Sequence, residues 1–411
     1  MKALERFSIG TGDRFGREGA AQLEAFRKAR AAGTEIAIVW NKSNREHLII
    51  GTGPAEQRAA ADAAIKATGW DGQYLVDADH VGLATVDRFI PHCDFFTIDV
   101  ADFIGKPVAT DLVEAFASRR GALLAGKGLP AAVAPEALRA AARRYLGAVA
   151  EAGKVYRHIR DGKGSTPFVV EVSMDETEEP QSPAELAVIL AALADEGVPV
   201  NTVAPKFSGR FNKGVDYVGE VAGFMREFEA DVEVALWAPK ALGLPAGLKL
   251  SVHSGSDKFS LYRGMGEIVR KKGAGLHLKT AGTTWLEELV GLAEAGGAGL
   301  ILAKEVYRVA HGRYDELVGP YAAVVDIVRG KLPSPATVDS WTGTELAAAI
   351  RHVKSEPRYD QGLRQLLHVG YKVAAEMGDR FLEALETHRE SVSRNVTVNL
   401  WERHLKPLLG L

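Results

Sequence analysis

The chain has 411 residues, of which 46% are hydrophobic, and carries a formal net charge of −3, so neither length nor charge indicates a nucleic-acid partner. No apolar run reaches the roughly 18 residues of a membrane span, and no apolar signal segment stands near residue 1. The single cysteine, Cys93, excludes an intrachain disulfide and a cysteine-based zinc site, and it suits a reducing cytoplasm.

Short apolar segments rich in β-branched and aromatic residues predict eight strands. They span residues 6–10, 35–40, 73–77, 94–99, 168–173, 202–207, 249–253 and 276–280. Helical periodicity lies between most of them, over residues 19–32, 55–68, 182–195, 214–235, 258–272 and 283–295. An alternation of strands and helices through eight rounds is typical of an α/β fold of the (β/α)8 TIM-barrel type.

A doubly wound sheet is the main alternative to the barrel. Against it, the first predicted strand runs into Gly-Thr-Gly-Asp-Arg (10–14), which is not the Gly-x-Gly-x-x-Gly of dinucleotide-binding folds. A phosphate-binding Gly-x-x-x-x-Gly-Lys-Ser/Thr motif is also missing from the sequence. We therefore expect a barrel over residues 1–296, with a helical insertion at 108–163. Residues 297–411 are expected to form a helical extension packed on the barrel, through which the chain can form a homo-oligomer.

Ionisable residues follow nearly every predicted strand. In a barrel the carboxyl ends of all strands open into one mouth, so these residues are expected to converge there. In chain order they are Asp13, Arg14, Lys42, Asp77, Asp79, His80, Asp99, Glu171, Asp175, Glu176, Lys206, His253, Asp257, Lys258, His277 and Lys279. A purely structural rim would carry fewer charges so close to apolar runs.

Three histidines, His80, His253 and His277, fall at strand ends and suggest a metal site. Three imidazoles with a fourth position open to water or substrate suit Zn²⁺, Mn²⁺, Ni²⁺ or Co²⁺. The alternative for each is a hydrogen-bonded structural histidine. We therefore predict a divalent metal cation as the cofactor.

Two carboxylates beside these positions, Asp79 and Glu176, are candidates for acid–base catalysis, because a neighbouring cation and burial set the pKa of such groups. Their alternative role is in helix capping or in solvated loops. The candidates for contacts with a substrate carboxylate or its hydroxyl groups are Arg14, Asp13, Lys206, Asp257, Lys258 and Lys279. The basic members of this set suit an acidic small molecule.

Several motifs together resemble the tagaturonate epimerase family. They are Ile-Gly-Thr-Gly-Asp-Arg-Phe-Gly (9–16), Asp-Ala-Asp-His-Val (77–81), Phe-Thr-Ile-Asp (96–99), Val-Ser-Met-Asp-Glu-Thr (172–177), Lys-Gly-Val-Asp-Tyr-Val-Gly (213–219), His-Ser-Gly-Ser-Asp-Lys-Phe-Ser (253–260) and His-Leu-Lys-Thr-Ala-Gly-Thr-Thr-Trp-Leu-Glu (277–287). A looser match continues at Arg-Gln-Leu-Leu-His-Val (364–369). The resemblance implies a metal-dependent barrel isomerase that interconverts tagaturonate and fructuronate. It also implies metal ligation by His80, His253 and His277, and acid–base roles for Asp79 and Glu176.

The sequence departs from the family pattern at Asn-Lys-Ser-Asn-Arg (41–45) and at Arg210, where an acid is expected. Such changes at the mouth can leave the chemistry intact and alter the sugar acid or ketose that is used. The two sugar acids differ at a carbon that the ketone does not acidify, so a retro-aldol cleavage and re-addition is favoured over transient oxidation by a nicotinamide. A metal-dependent aldolase, a ketose isomerase and an inactive sugar-acid-binding barrel remain as alternatives.

Overall fold

The computed structural model describes residues 2–126, 128–130 and 132–411 and contains a closed barrel of eight parallel strands in sequence order. The strands are β1 (Phe7–Thr11), β2 (Ile36–Ser43), β3 (Tyr74–Val81), β4 (Phe95–Asp99), β5 (Val169–Ser173), β6 (Thr202–Ala204), β7 (Lys249–His253) and β8 (Leu276–Thr280). β8 closes the barrel by pairing with β1, with Phe7 opposite Leu276. The predicted (β/α)8 architecture is therefore confirmed.

Helices connect the strands on the outside and continue beyond β8. The helices as far as the last strand are α1 (Gly19–Ala31), α2 (Asn44–Ile50), α3 (Pro54–Thr68), α4 (Thr110–Leu124), α5 (Pro135–Lys163), α6 (Pro183–Asp195), α7 (Val221–Leu242) and α8 (Phe259–Lys272). Those that follow are α9 (Thr283–Ala295), α10 (Gly297–Gly312), α11 (Tyr314–Val318), α12 (Pro335–Asp339), α13 (Gly343–Ile350), α14 (Gln361–Val369), α15 (Tyr371–Met377), α16 (Asp379–Thr387), α17 (Arg389–Val398) and α18 (Lys406–Leu409). Among the described residues, no helix has the length and apolar composition needed to cross a bilayer.

The two faces of each strand have different surroundings. Residues that point outward, such as Phe96 and Ile98 of β4, join the large core between the strands and the surrounding helices. Residues that point inward are apolar only low in the barrel, where Val39, Leu75 and Phe95 form a small separate cluster. Because side chains alternate along a strand, the next inward positions toward the carboxyl ends carry the polar groups of the mouth.

The residues beyond β8 build a second hydrophobic core. It is made by α9 together with the helices that follow it, around Trp285, Tyr307 and Leu367. The last helix, α18, returns to the barrel and packs on α8. The segment expected as a helical insertion holds α4 and α5.

Element boundaries differ most from the prediction in four elements. β2 and β3 run on to Ser43 and Val81, because their polar ends continue to pair across the mouth. β6 ends at Ala204, since Pro205 has no backbone N–H to donate to the ladder. The predicted helix from residue 214 begins only at Val221, because residues 205–220 form a loop whose groups bond to distant segments, among them Val324.

Candidate active site

A buried network of charges fills the barrel mouth between β3, β5 and β8. The Lys279 ammonium lies 2.9 Å from Asp77, 2.8 Å from Asp79 and 3.0 Å from Glu171. Burial opposes ionisation of Asp79 and Glu171, but the Lys279 charge outweighs it and lowers both pKa values. Burial raises the pKa of Asp77 to about 6. Lys279, predicted to contact substrate, thus holds neighbouring carboxylates ionised and has its donors already engaged.

Two of the predicted imidazoles meet above this network. The ring centroids of His80 and His253 are 5.1 Å apart. His253 Nε2 lies 2.9 Å from Glu171, and His80 Nδ1 lies 3.1 Å from Asp99. A carboxylate that accepts a hydrogen bond from one ring N–H fixes the tautomer and leaves the lone pair of the other nitrogen free for a cation. The free nitrogens are His253 Nδ1 and His80 Nε2.

Asp175 completes a set of donors that fits a metal ion. Its carboxylate lies 3.1 Å from His253 Nδ1, which makes no hydrogen bond although it is buried. Ligand atoms of His80, Asp175 and His253 all lie within 4.8 Å of one another. An imidazole lone pair facing a carboxylate oxygen is repulsive unless a proton or cation lies between them. Two nitrogens and one oxygen suit a divalent cation.

A second group of possible metal ligands consists of His80, Asp99 and Glu176. One ligand atom from each of these residues also lies within 4.8 Å of the other two. Burial alone would lower the pKa values of His80 and His253. Asp79 is the main carboxylate that instead raises the pKa of His80, to about 10, and Asp175 is the one that raises the pKa of His253, to about 9. The carboxylates around the mouth therefore stabilise positive charge at the two imidazoles, whether that charge comes from protons or from a bound cation.

The backbone at His80 explains how neighbouring residues reach the same mouth. His80 has φ of 52°, the only positive φ of a non-glycine residue in the described ranges. The pairing of β3 with β4 also shifts register between Ala78 and Val81. A bulge of this kind breaks the alternation of side chains, so Asp79 and His80 both face the mouth. Strain of this type recurs at functional sites.

The third predicted ligand, His277, departs from the prediction. It is fully buried one inward position below Lys279, where its Nδ1 lies 2.8 Å from Ser8 Oγ and its ring packs on Phe95 at 5.1 Å. No set of three possible ligands that the described residues bring within 4.8 Å includes it. Burial lowers the pKa of His277 to about 3, so the ring is neutral, and its Nε2 has no partner. Asp175, rather than His277, stands beside His80 and His253.

Asp13 and Arg14 lie in the loop after β1, away from the imidazole pair. The Asp13 carboxylate accepts hydrogen bonds from the backbone of Arg17 and Glu18 and so orders the turn into α1. Arg14 donates to Glu46 at 2.9 Å. Both line a cavity of about 110 Å³ that α3 and the end of β2 complete. The structure therefore gives each of them a structural partner and does not join them to the carboxylate network.

Asp257 departs from the substrate-binding prediction. It is fully buried and receives Arg364 at 2.7 Å, Thr283 at 2.9 Å and His352 at 3.3 Å. Its neighbour Lys258 is equally buried and donates to three neutral oxygens. Because both side chains are buried, neither is open to a ligand. Their hydrogen bonds instead stabilise the loop after β7.

Lys206, also predicted to bind substrate, is half-buried just past β6. Its backbone exchanges hydrogen bonds with Gln181, at 2.6 Å to the side chain and 3.0 Å to the backbone N–H. Arg210, the unexpected basic residue, forms a paired contact with Asp326 at 2.9 Å on the surface. Its departure from the family pattern thus changes a surface contact.

Four carboxylates of the mouth received no role from the sequence: Asp77, Asp99, Glu171 and Asp175. Glu171 offers a clear signal, a single acid between valines in a strand that is otherwise apolar. Asp175 and Glu176 are adjacent, and only the resemblance favoured Glu176. Both belong to the site, Asp175 beside His253 and Glu176 beside His80 and Asp99.

Comparisons with known proteins find similarity to tagaturonate/fructuronate epimerases. A model of the family described as tagaturonate epimerase matches residues 127–408. The tagaturonate/fructuronate epimerase of Thermotoga maritima is 29% identical over an alignment that covers all of this chain and 82% of the relative. Two crystal structures of the fructuronate-tagaturonate epimerase of Cohnella laeviribosi share the fold over the whole chain. The native form has a TM-score of 0.77 at 24% identity and the complex with two glycerol molecules 0.81 at 23%, with 82% and 83% of those chains covered.

Proposed function

Because the chain belongs to the tagaturonate epimerase family, we propose that it interconverts tagaturonate and fructuronate with the help of a divalent cation at the barrel mouth. The observation that carries the proposal is the meeting of His80, His253 and Asp175, with Asp79 and Glu176 beside them. Zn²⁺, Mn²⁺, Ni²⁺ and Co²⁺ all accept this mixture of nitrogen and oxygen donors. When bound, the cation supplies Lewis-acid stabilisation of negative charge on substrate oxygens.

The reaction must invert a carbon whose hydrogen is not acidic. The two sugar acids differ one bond beyond the carbon next to the ketone, so removal of a proton to form an enolate cannot reach that centre. Breaking the carbon–carbon bond beside it solves the problem. The hydroxyl of the inverting carbon loses its proton and its oxygen becomes the carbonyl of an aldehyde. The bond to the carbon next to the ketone breaks, and its electron pair remains on the ketone fragment as an enediolate. Rotation of the aldehyde and re-formation of the same bond yield the epimer.

The chain's own groups suit the two proton transfers. Asp79 is ionised because Lys279 lowers its pKa, so it is available to accept the hydroxyl proton. Glu176 is exposed and lies with Asp99 near His80, where it can return a proton after the aldehyde has turned. Asp99 and Glu171 hold the two imidazoles in orientation. His277 belongs to the floor of the site.

The experiment follows tagaturonate by NMR with purified protein supplied with each of the four metals in turn, in deuterium oxide. We expect fructuronate to appear with the hydrogen on the inverted carbon retained, since the proposed route never breaks that C–H bond. Elemental analysis of the protein reports the metal it retains. Deuterium on the inverted carbon would contradict the proposed route. Accumulated three-carbon products would indicate an aldolase, and a moved carbonyl would indicate a ketose isomerase.

A further inference from the structure

The acidic side of the mouth, defined as Asp77, Asp79, Asp99, Glu171, Asp175 and Glu176, poses a problem for an anionic substrate. Its one buried ammonium, Lys279, already forms ion pairs with three of these carboxylates. A substrate that carries its own carboxylate therefore needs a separate positive group. Resting on the proposed function, we infer that the Lys213 ammonium, in the loop after β6, binds the carboxylate of the sugar acid.

The backbone around Lys213 is fixed by the C-terminal helical region. Gln365 of α14 donates to the Lys213 carbonyl at 3.0 Å, and Arg364 donates to the next carbonyl, of Gly214. The Lys213 N–H donates to Val324 at 2.8 Å. Arg364 and Gln365 are fully buried, so these bonds are shielded from water. The motif at 364–369 thus has a physical task, to hold the Lys213 segment in place.

The Lys213 side chain reaches the loop after β7. A β-carbon on Gly255 would lie 3.6 Å from the Lys213 Nζ, so the ammonium rests against a residue that has no side chain. Gly255 has φ of 66°, which favours glycine, and its N–H donates to the Lys279 carbonyl at 3.2 Å. Gly255 follows the proposed ligand His253 by two positions. The ammonium therefore lies against the loop that follows β7, two residues beyond the proposed ligand His253.

Two other cations, Lys258 and Arg364, lie near this position, and Arg364 is compensated by Asp257 at 2.7 Å. Within the described ranges, Lys213 has no carboxylate within the 4.0 Å limit of an ion pair. The charge of Lys213 contributes to lowering the pKa values of Lys258 and His368, for both of which burial is the larger cause. The neutral His368 ring lies against Gly282, and its Nδ1 has no partner. We call Lys213, Lys258, Arg364 and His368 the basic side of the mouth.

The other cations near the mouth are already engaged. Lys258 donates to Asn212, Ser256 and Asp257 oxygens, and by holding the Asn212 carbonyl at 3.1 Å it positions the residue before Lys213. Arg14 is paired with Glu46, and Lys42 donates to the Arg14 carbonyl at 2.7 Å. Lys206 is the remaining alternative. The buried hydrogen bonds from Arg364 and Gln365, which we call the clamp from α14, hold the Lys213 segment in place and favour Lys213. An ammonium without a partner is the natural receptor for a carboxylate.

The test is calorimetric binding to the metal-loaded protein of two ligands, fructuronate and fructose, which differ only in whether the terminal carbon is a carboxylate. We expect the wild type to bind fructuronate at least about 30-fold more tightly, the size of one charge-assisted hydrogen bond. Lys213→Met should remove about 30-fold in fructuronate affinity and leave fructose affinity unchanged. Lys213→Arg should retain most of the preference, because it keeps the charge.

The matched control is Lys354→Met, which removes an exposed lysine paired with Asp216 at 3.2 Å, and it should shift neither affinity by more than about twofold. Equal losses for both ligands in Lys213→Met, no loss at all, or a loss of the preference in Lys206→Met instead would overturn the assignment. A wild type that binds both ligands equally would do so as well. Failure of the wild type to epimerise tagaturonate would instead count against the proposed function.

Discussion

The acidic and basic sides of the mouth are built in different ways. The acidic side comes from inward positions of the strands and from residues directly after them, such as Asp79 of β3 and Glu171 of β5. The basic side comes from loops and from α14, which lies far along the chain. The difference suggests that the barrel provides the groups for the reaction, whereas the added helices provide recognition of the substrate's charged end. Loops held by a rigid scaffold commonly carry the residues that recognise the substrate.

The largest effect is expected from His253→Ala. Without this imidazole the protein should lose its metal, and turnover should fall by about 1000-fold or more. The comparison is sharpened by His277→Ala, which should retain the metal because His277 bonds to Ser8 below the cluster. Elemental analysis and NMR turnover measure both variants. If His277→Ala lost the metal as completely as His253→Ala, the third ligand would be His277 rather than Asp175.

The next effect is on stability and distinguishes two of the buried lysines, Lys279 and Lys258. Lys279→Met leaves Asp77, Asp79 and Glu171 without their cation, and removing one partner of a buried ion pair costs about 4 kcal/mol. Lys258→Met removes only bonds to neutral oxygens and should cost about 1 kcal/mol at pH 7. Urea unfolding measures both free energies. Equal losses would mean that the two sides do not differ in how their charges are compensated.

A smaller effect concerns the pH dependence of stability. Burial lowers the pKa of Lys258 to about 7 from an ordinary value near 10.5. Between these values the unfolded chain binds more protons than the folded one, so the free energy of unfolding contributed by Lys258 rises with pH. The deficit of Lys258→Met relative to the wild type should therefore grow by about 2 kcal/mol from pH 7 to pH 9. A deficit independent of pH, in unfolding measured at both values, would place the lysine in a wetter environment.

The sequence predicts the barrel well because the eight strand segments and the helices between them carry their own periodicity. It also predicts the convergence of His80 and His253, since both end parallel strands. It does not place His277, because an inward position one step lower in β8 looks the same in a sequence as one at the rim. The strained turn at His80 depends on pairing with β4, which no local pattern records.

The lysine at position 213 could not be selected from the sequence either. A helix was expected to start at Gly214, since the segment lacks a strong breaker. What keeps residues 205–220 as a loop is a set of long-range hydrogen bonds to Val324, Arg364 and Gln365. Contacts across such distances in the chain decide the local conformation, and propensity alone does not reveal them.

The clamp from α14 bears on how the enzyme matures during synthesis. Translation delivers every strand, and with them all the carboxylates and imidazoles of the reaction centre, well before Arg364 and Gln365 leave the ribosome. A nascent chain that has folded its barrel therefore still lacks the brace for Lys213. The proposed receptor for the substrate carboxylate therefore depends on residues that are synthesised after all of the proposed metal ligands.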